Sequence, residues 1–166
     1  MKKKLLVLVL CIILVVAMAI PAFAAVGVGT QKIYGWGGTN SIPLFCSGSG
    51  QTIQLLNTST TQWTVIGVGN GRYRITDASK NLDVNIYRVL QPNNYYYCTA
   101  YTYDSATHGV DQLVRITQIG SGRSMIQLSD PVMGGSWYMM ADRSAPSSQS
   151  DVIWYQDSSG TRAQWM

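Results

Sequence analysis

A period of 51 residues constrains this chain more than any other feature. Gly69-Asn70-Gly71-Arg72 returns as Gly120-Ser121-Gly122-Arg123, and Ile75 returns as Ile126 at the same offset. Trp63, Val114 and Trp165 keep that spacing twice over, each closing a similar segment: Thr61-Gln62-Trp63, Gln112-Leu113-Val114 and Ala163-Gln164-Trp165. Gly29-Thr30-Gln31-Lys32 resembles the same opening, about eleven residues closer to its Trp than the period requires. Two independent landmarks on one period divide the chain into three units, at about 27–66, 67–116 and 117–166. One such unit cannot bury its own apolar face, so three of them must share a core.

Within a unit the pattern predicts short strands between turns. In the middle unit these are 72–76, 82–85, 95–103 and 112–116, with a turn over 77–81. In the third unit they are 125–128, 137–140, 152–156 and 163–166. No segment sustains a 3.6-residue apolar period with caps, so helices are not expected. Four strands in each of three units make twelve, enough to close a barrel and remove exposed edges. Gly67-Val68-Gly69-Asn70-Gly71 lacks the following helix and Lys-Ser/Thr of a phosphate loop, and reads as a tight turn.

Residues 1–24 stand outside this pattern. Lys2, Lys3 and Lys4 precede an apolar run from Leu5 to Ile20, closed by Pro21-Ala22-Phe23-Ala24. A charged start, an apolar middle and small residues at the end describe a secretory signal peptide. The run is shorter than the ~20 apolar residues of a spanning helix. Cleavage after Ala24 and an extracellular location are therefore expected, with residues 25–166 forming one domain. The leader also carries three of the 12 basic residues, which leaves nine against eight acidic ones, all Asp. No basic stripe then points to nucleic acid or an anionic membrane. Few charges beside ten Tyr and five Trp suit neutral, hydroxyl-rich ligands, although an aromatic-rich β core has a similar composition.

With the closing Trp, the preceding Gln and the stretch Gly71-Arg72-Tyr73-Arg74-Ile75 through Lys80-Asn81-Leu82-Asp83-Val84-Asn85, the three units resemble ricin-B-type lectin repeats. That family is marked by Gln-x-Trp near the end of each repeat. Here Thr61 and Ala163 stand where its Gln is expected, and Val114 where its Trp is. The resemblance implies an all-β fold, a β-trefoil of three pseudo-symmetric four-strand repeats, with Trp63, Val114 and Trp165 as repeat-core residues. It also implies a carbohydrate-binding module in which an Asp takes two sugar hydroxyls, a ring stacks on the sugar face and polar residues complete the pocket. Carried onto this chain, the middle unit supplies Asp83 as anchor, Tyr101 or Tyr103 as stacking ring, and Asp111-Gln112 as polar pair. Trp137, Tyr138 and Trp154 make a second candidate group. Read from the residues alone, Asp83 also fits a partner for turn amides near Lys80, and the tyrosines fit packing.

Catalytic chemistry finds no constellation. His108 is the single His, in a polar stretch, and one His with two distant Cys does not make a metal site. No spacing singles out a carboxylate pair for glycoside hydrolysis. The expectation is a secreted binding module, not an enzyme, with no cofactor and with glycans or cell-surface polysaccharide as partners. Two alternatives are a protein-binding trefoil, such as a protease inhibitor using Arg143 to Ser150, and a toxin-associated accessory domain. Cys46 and Cys98 occupy nearly equivalent places in neighbouring units, 17 and 16 residues before Trp63 and Val114. Export would permit a disulfide between them. A bridge and two separate thiols both stay open.

Overall fold

A computed structural model describes residues 26–37, 40–106, 109–129, 134–142 and 149–166. The expected leader, His108 and most of the 143–150 loop lie outside the described residues. Twelve strands join in one sheet, every pairing antiparallel, and no α-helix occurs among the described residues. The first unit holds β1 (Gly29–Gln31), β2 (Tyr34–Gly37), β3 (Asn40–Phe45) and β4 (Gln54–Leu56). Then come β5 (Trp63–Gly69), β6 (Arg72–Asp77), β7 (Leu82–Ile86) and β8 (Tyr96–Tyr101). The last four are β9 (Val114–Gly120), β10 (Arg123–Leu128), β11 (Tyr138–Ala141) and β12 (Gln149–Tyr155).

The same pairings recur three times. β2–β3–β4, β6–β7–β8 and β10–β11–β12 are each consecutive and antiparallel. The residue that closes each unit returns to that unit's opening strand: Trp63 to Gln31, Val114 to Tyr73, Trp165 to Ser124. It also pairs forward, Trp63 with Asp77, Val114 with Leu128 and Trp165 with Gly35. The last contact ties the C-terminus to the first unit, with Met166 and Tyr34 exchanging backbone bonds of 2.8 and 3.0 Å. β12 meets both β4 and β8, and Ile53 N–H donates to Cys98 O at 2.7 Å, so the third strands converge.

The closing residues are core. Trp63, Val114 and Trp165 are buried, together with Ile33, Leu44, Leu55, Ile75 and Ile126. Each indole N–H needs a partner once water is removed. Trp63 donates to Leu44 O at 3.3 Å and Trp165 to Met139 O at 2.8 Å, carbonyls in β3 and β11, the middle strands of their trios. In the middle unit Val114 has no such donor. Trp154 enters from the third unit instead and donates to Asn85 O at 3.2 Å.

The repeated Gly-x-Gly turns explain the clearest sequence landmark. Gly69, Asn70 and Gly71 have φ of 92°, 54° and 67°, and Gly120, Ser121 and Gly122 have 87°, 53° and 68°. Three consecutive left-handed residues are accessible to glycine and costly for most side chains. The closing strands begin later than expected. Gly109–Gln112 forms a short 3-10 turn, and β9 starts at Val114. Gln112 ends this turn, with Leu113 between it and the start of the ladder at Val114, and its side chain bonds the preceding loop. In the third unit Thr161–Ala163 is likewise a 3-10 turn before Trp165.

Cys46 and Cys98 are free, buried thiols. Burial pushes both thiol pKa values up, and for Cys98 the charge of Cys46 adds to the rise. No helix of the described residues is long and apolar enough to cross a membrane.

Candidate functional site: a cleft in the middle unit

After Ile86 the chain leaves β7, and after Tyr101 it leaves β8. Between these two strand ends and the 3-10 turn Gly109–Gln112 lies a cleft of about 430 Å3. One wall is Asn85 to Arg88, the other is Tyr101 and Thr102, and the floor is Asp111 and Gln112. The register Asp83↔Tyr101 and Asn85↔Thr99 sets the two walls side by side.

Gln112 is almost fully buried and acts as a stitch. Its Oε1 accepts from Asp104 N–H at 3.3 Å, and its Nε2 donates to Tyr101 O at 3.1 Å and Thr102 O at 3.3 Å. It therefore shapes the far wall, with both ends of its amide committed to backbone. Asn85 is tied in a similar way, donating to Ile86 O at 2.9 Å and Thr99 Oγ1 at 3.1 Å. Asp111 receives Arg88, whose Nε lies 2.7 Å from Oδ1 and whose Nη2 reaches the same oxygen.

Of the expected residues, the structure brings Tyr101, Asp111 and Gln112 together in the cleft. Asp83 is placed otherwise than expected. Its side chain is 0% exposed, and its carboxylate receives Arg74 Nε at 2.5 Å, Arg74 Nη2 at 3.0 Å and Thr76 Oγ1 at 2.7 Å. A carboxylate so enclosed presents no surface to a ligand, so the expectation of Asp83 as a sugar anchor is corrected. The turn amides near Lys80 are bonded by Asp77 instead, which accepts from Ser79 N–H at 2.8 Å and Lys80 N–H at 3.1 Å. Tyr103 is also committed: the Arg74 guanidinium carbon lies 3.7 Å from its ring centroid, a cation–π contact.

The second candidate group does not form an exposed platform. Trp154 is fully buried. Trp137 is also buried, packed edge-on against Tyr96 at 4.7 Å, and donates to Gly134 O at 2.8 Å. Tyr138 is half-buried, opposite Gln127 and Tyr155 in the sheet.

Sequence reasoning missed Tyr87 and Arg88. They follow the Leu-Asp-Val-Asn-Ile strand directly, and the signal was the apolar stretch that continues into a turn-rich segment, Val89-Leu90-Gln91-Pro92-Asn93-Asn94. Tyr87, Val89, Leu90, Tyr101 and Val110 are all exposed, each lining the cleft or within two residues of a lining residue. Of these only Tyr87 and Tyr101 line the cleft itself; Val89, Leu90 and Val110 are sequence neighbours of lining residues. Among the described residues no cluster of three or more His, Cys, Asp or Glu gathers to hold a metal.

No protein-family model matches the chain, and no curated protein matches it. Solved structures do, at the level of fold. The designed threefold-symmetric protein ThreeFoil superposes with a TM-score of 0.67 at 17% identity, covering 82% of this chain and 96% of its own. A Culex quiquefasciatus salivary protein of the Cysteine and Tryptophan-Rich family gives 0.63 at 16%, covering 86% and 94%. A Polyporus squamosus lectin, bound to the epitope Neu5Aca2-6Galb1-4GlcNAc, gives 0.62 at 13%, covering 86% of this chain and 49% of the lectin. These neighbours are β-trefoil proteins, and the chain is all-β like them.

Proposed function

We propose that this chain is a secreted β-trefoil of three four-strand repeats that binds carbohydrate without catalysing a reaction, and that the middle-unit cleft is its ligand site. The carrying observation is the cleft itself: two exposed tyrosines, Tyr87 and Tyr101, line a concavity of saccharide size together with Arg88 and Asp111. Tyrosine combines a ring face for the apolar side of a pyranose with a hydroxyl for its polar edge. The lectin among the fold neighbours is consistent with this reading. A single shallow site binds weakly, so useful affinity would come from several copies at one surface.

A glycan array probed with exported protein tests the proposal. The expected result is binding to a restricted set of glycans, lost in Tyr87→Ala/Tyr101→Ala while the melting curve is retained. Binding that survives this double variant places the ligand elsewhere. Mass spectrometry of the same material is expected to show an N-terminus at Ala25.

A further inference from the structure

We infer that the outward face of the β8–β12–β11 sheet is a second site, which takes the ammonium group of an amino sugar. The inference rests on the carbohydrate reading above and adds to it a positively charged ligand class, bound away from the middle-unit cleft.

Strand pairing builds this face. Tyr97 lies opposite Ile153, and Ile153 opposite Met140, across three adjacent strands. Met140 and Ile153 are buried, and with Ala163 they form a small apolar cluster outside the main core. Tyr95, Tyr97 and Tyr155 pack over that cluster and stay half-buried. Side chains alternate along a strand, so Asp151 and Asp142, two residues from Ile153 and Met140, emerge on the same side. Asp142 N–H donates to Asp151 O at 2.9 Å, which sets the two aspartates opposite each other.

Like charges directly opposed destabilise an antiparallel pair. Among the described residues neither aspartate has a cation as partner: Asp151 accepts the Gln54 amide at 2.8 Å, and Asp142 is exposed. Arg162 borders the face, but its Nε donates to Ala141 O at 3.0 Å and its Nη2 lies 3.4 Å from Met140 Sδ. The field at the rings is negative. The Tyr95 hydroxyl pKa is pushed up to about 12, first by its bond with Tyr97 at 3.3 Å, then by burial and by the charges of Tyr97, Asp142 and Asp151. An ammonium group answers both features of the face. Aromatic rings attract it when it lies within about 6 Å of their centroids, and carboxylates accept its N–H bonds. It also relieves the repulsion between the two aspartates. Tyr95 and Tyr97 stand at 85° to each other, a corner suited to a compact cation more than to one flat sugar ring. A saccharide amine brings hydroxyls as well, for which the remaining carboxylate oxygens are acceptors, and Tyr155 offers a ring face to the sugar.

Calorimetric titration compares a glucosamine tetrasaccharide with its fully N-acetylated form at about pH 5.5, where the aspartates are ionised and the amines protonated. The amine form is expected to bind about tenfold tighter at low salt. That advantage should shrink between about 0.05 M and about 0.5 M NaCl. Asp142→Asn/Asp151→Asn is expected to bind the two forms alike and to keep or raise its melting temperature. Asn can still accept from Gln54, and the repulsion is gone. Tyr87→Ala/Tyr101→Ala alters only the cleft and is expected to keep the amine preference. Equal binding of the two forms by the unmodified protein, or binding of neither, overturns the inference, while the glycan array decides the carbohydrate reading separately. A preference that persists in the aspartate variant, or disappears in the Tyr87→Ala/Tyr101→Ala variant, also overturns it. So does a tetralysine peptide that binds as tightly as the glucosamine form, because the site would then take any polycation.

Discussion

The two arginine–aspartate pairs of the middle unit use the same chemistry in different settings. Arg74–Asp83 lies within the sheet, with Thr76 as a third partner and Tyr103 stacked on the guanidinium. Arg88–Asp111 joins the end of β7 to the 3-10 turn, with its guanidinium toward solvent at the rim of the cleft. The inner pair is enclosed and closes the place where family resemblance put a sugar anchor. The outer pair borders the cleft, with Arg88 41% exposed and Asp111 8% exposed. Burial, not residue type, separates an ion pair enclosed in the sheet from one with a face toward solvent. Removing one partner of an enclosed pair leaves a charge that water cannot reach, whereas a carboxylate bordering an open cleft, as Asp111 does, is partly re-solvated.

The largest expected effect tests that contrast directly. Arg74→Ala leaves the Asp83 carboxylate buried with only Thr76, and should lower stability by about 3 kcal/mol in urea denaturation. Arg88→Ala strands Asp111, which is 8% exposed but borders the cleft, and should cost less, about 1–2 kcal/mol in the same measurement. Similar losses would erase the distinction between the pairs.

The two tyrosines nearest these pairs give a smaller contrast. Tyr101→Ala removes an exposed ring from the cleft and should weaken glycan binding about fivefold, on the scale of about 1 kcal/mol for one aromatic contact. Tyr103→Ala removes the ring under Arg74 and should lower stability by about 1 kcal/mol. Its glycan affinity should be retained. If Tyr103→Ala weakens binding more than Tyr101→Ala, the inner pair belongs to the ligand site after all.

A third carboxylate, Asp77, sharpens the comparison through pH. Burial alone would raise its pKa, but hydrogen bonds from the Ser79 hydroxyl and N–H and from Lys80 outweigh that and hold it below the ordinary carboxylate value. A lowered folded-state pKa contributes stability above the unfolded value, lost as pH falls through the folded one. Acid titration should therefore show stability declining below about pH 4. That decline should be shallower in Asp77→Asn. An unchanged acid slope in that variant would assign the loss to other groups.

Legibility differs between fold and site for physical reasons. The Gly69-Asn70-Gly71 and Gly120-Ser121-Gly122 turns were readable because a left-handed run depends on the residues that adopt it. Tyr101, Asp111 and Gln112 were readable as neighbours because each follows from its place in the repeat. Asp83 was not readable, because nothing in Leu-Asp-Val states whether Arg74, nine residues earlier on the adjacent strand, will cover it. Tyr87 and Arg88 went unseen because they lie past the motif, where the chain turns away from β7 and exposure alone gives them meaning.

The chain's period, its division into units, its all-β character and its closing residues at Trp63, Val114 and Trp165 were determined by the sequence alone. Those properties follow from local conformational preference and from apolar residues returning at a constant interval. Only the tertiary structure decided which aspartates are enclosed, which tyrosines face solvent and where the concavity opens. Burial is a property of neighbours brought together across the sheet. A one-dimensional pattern carries no record of which side chain will lie over which.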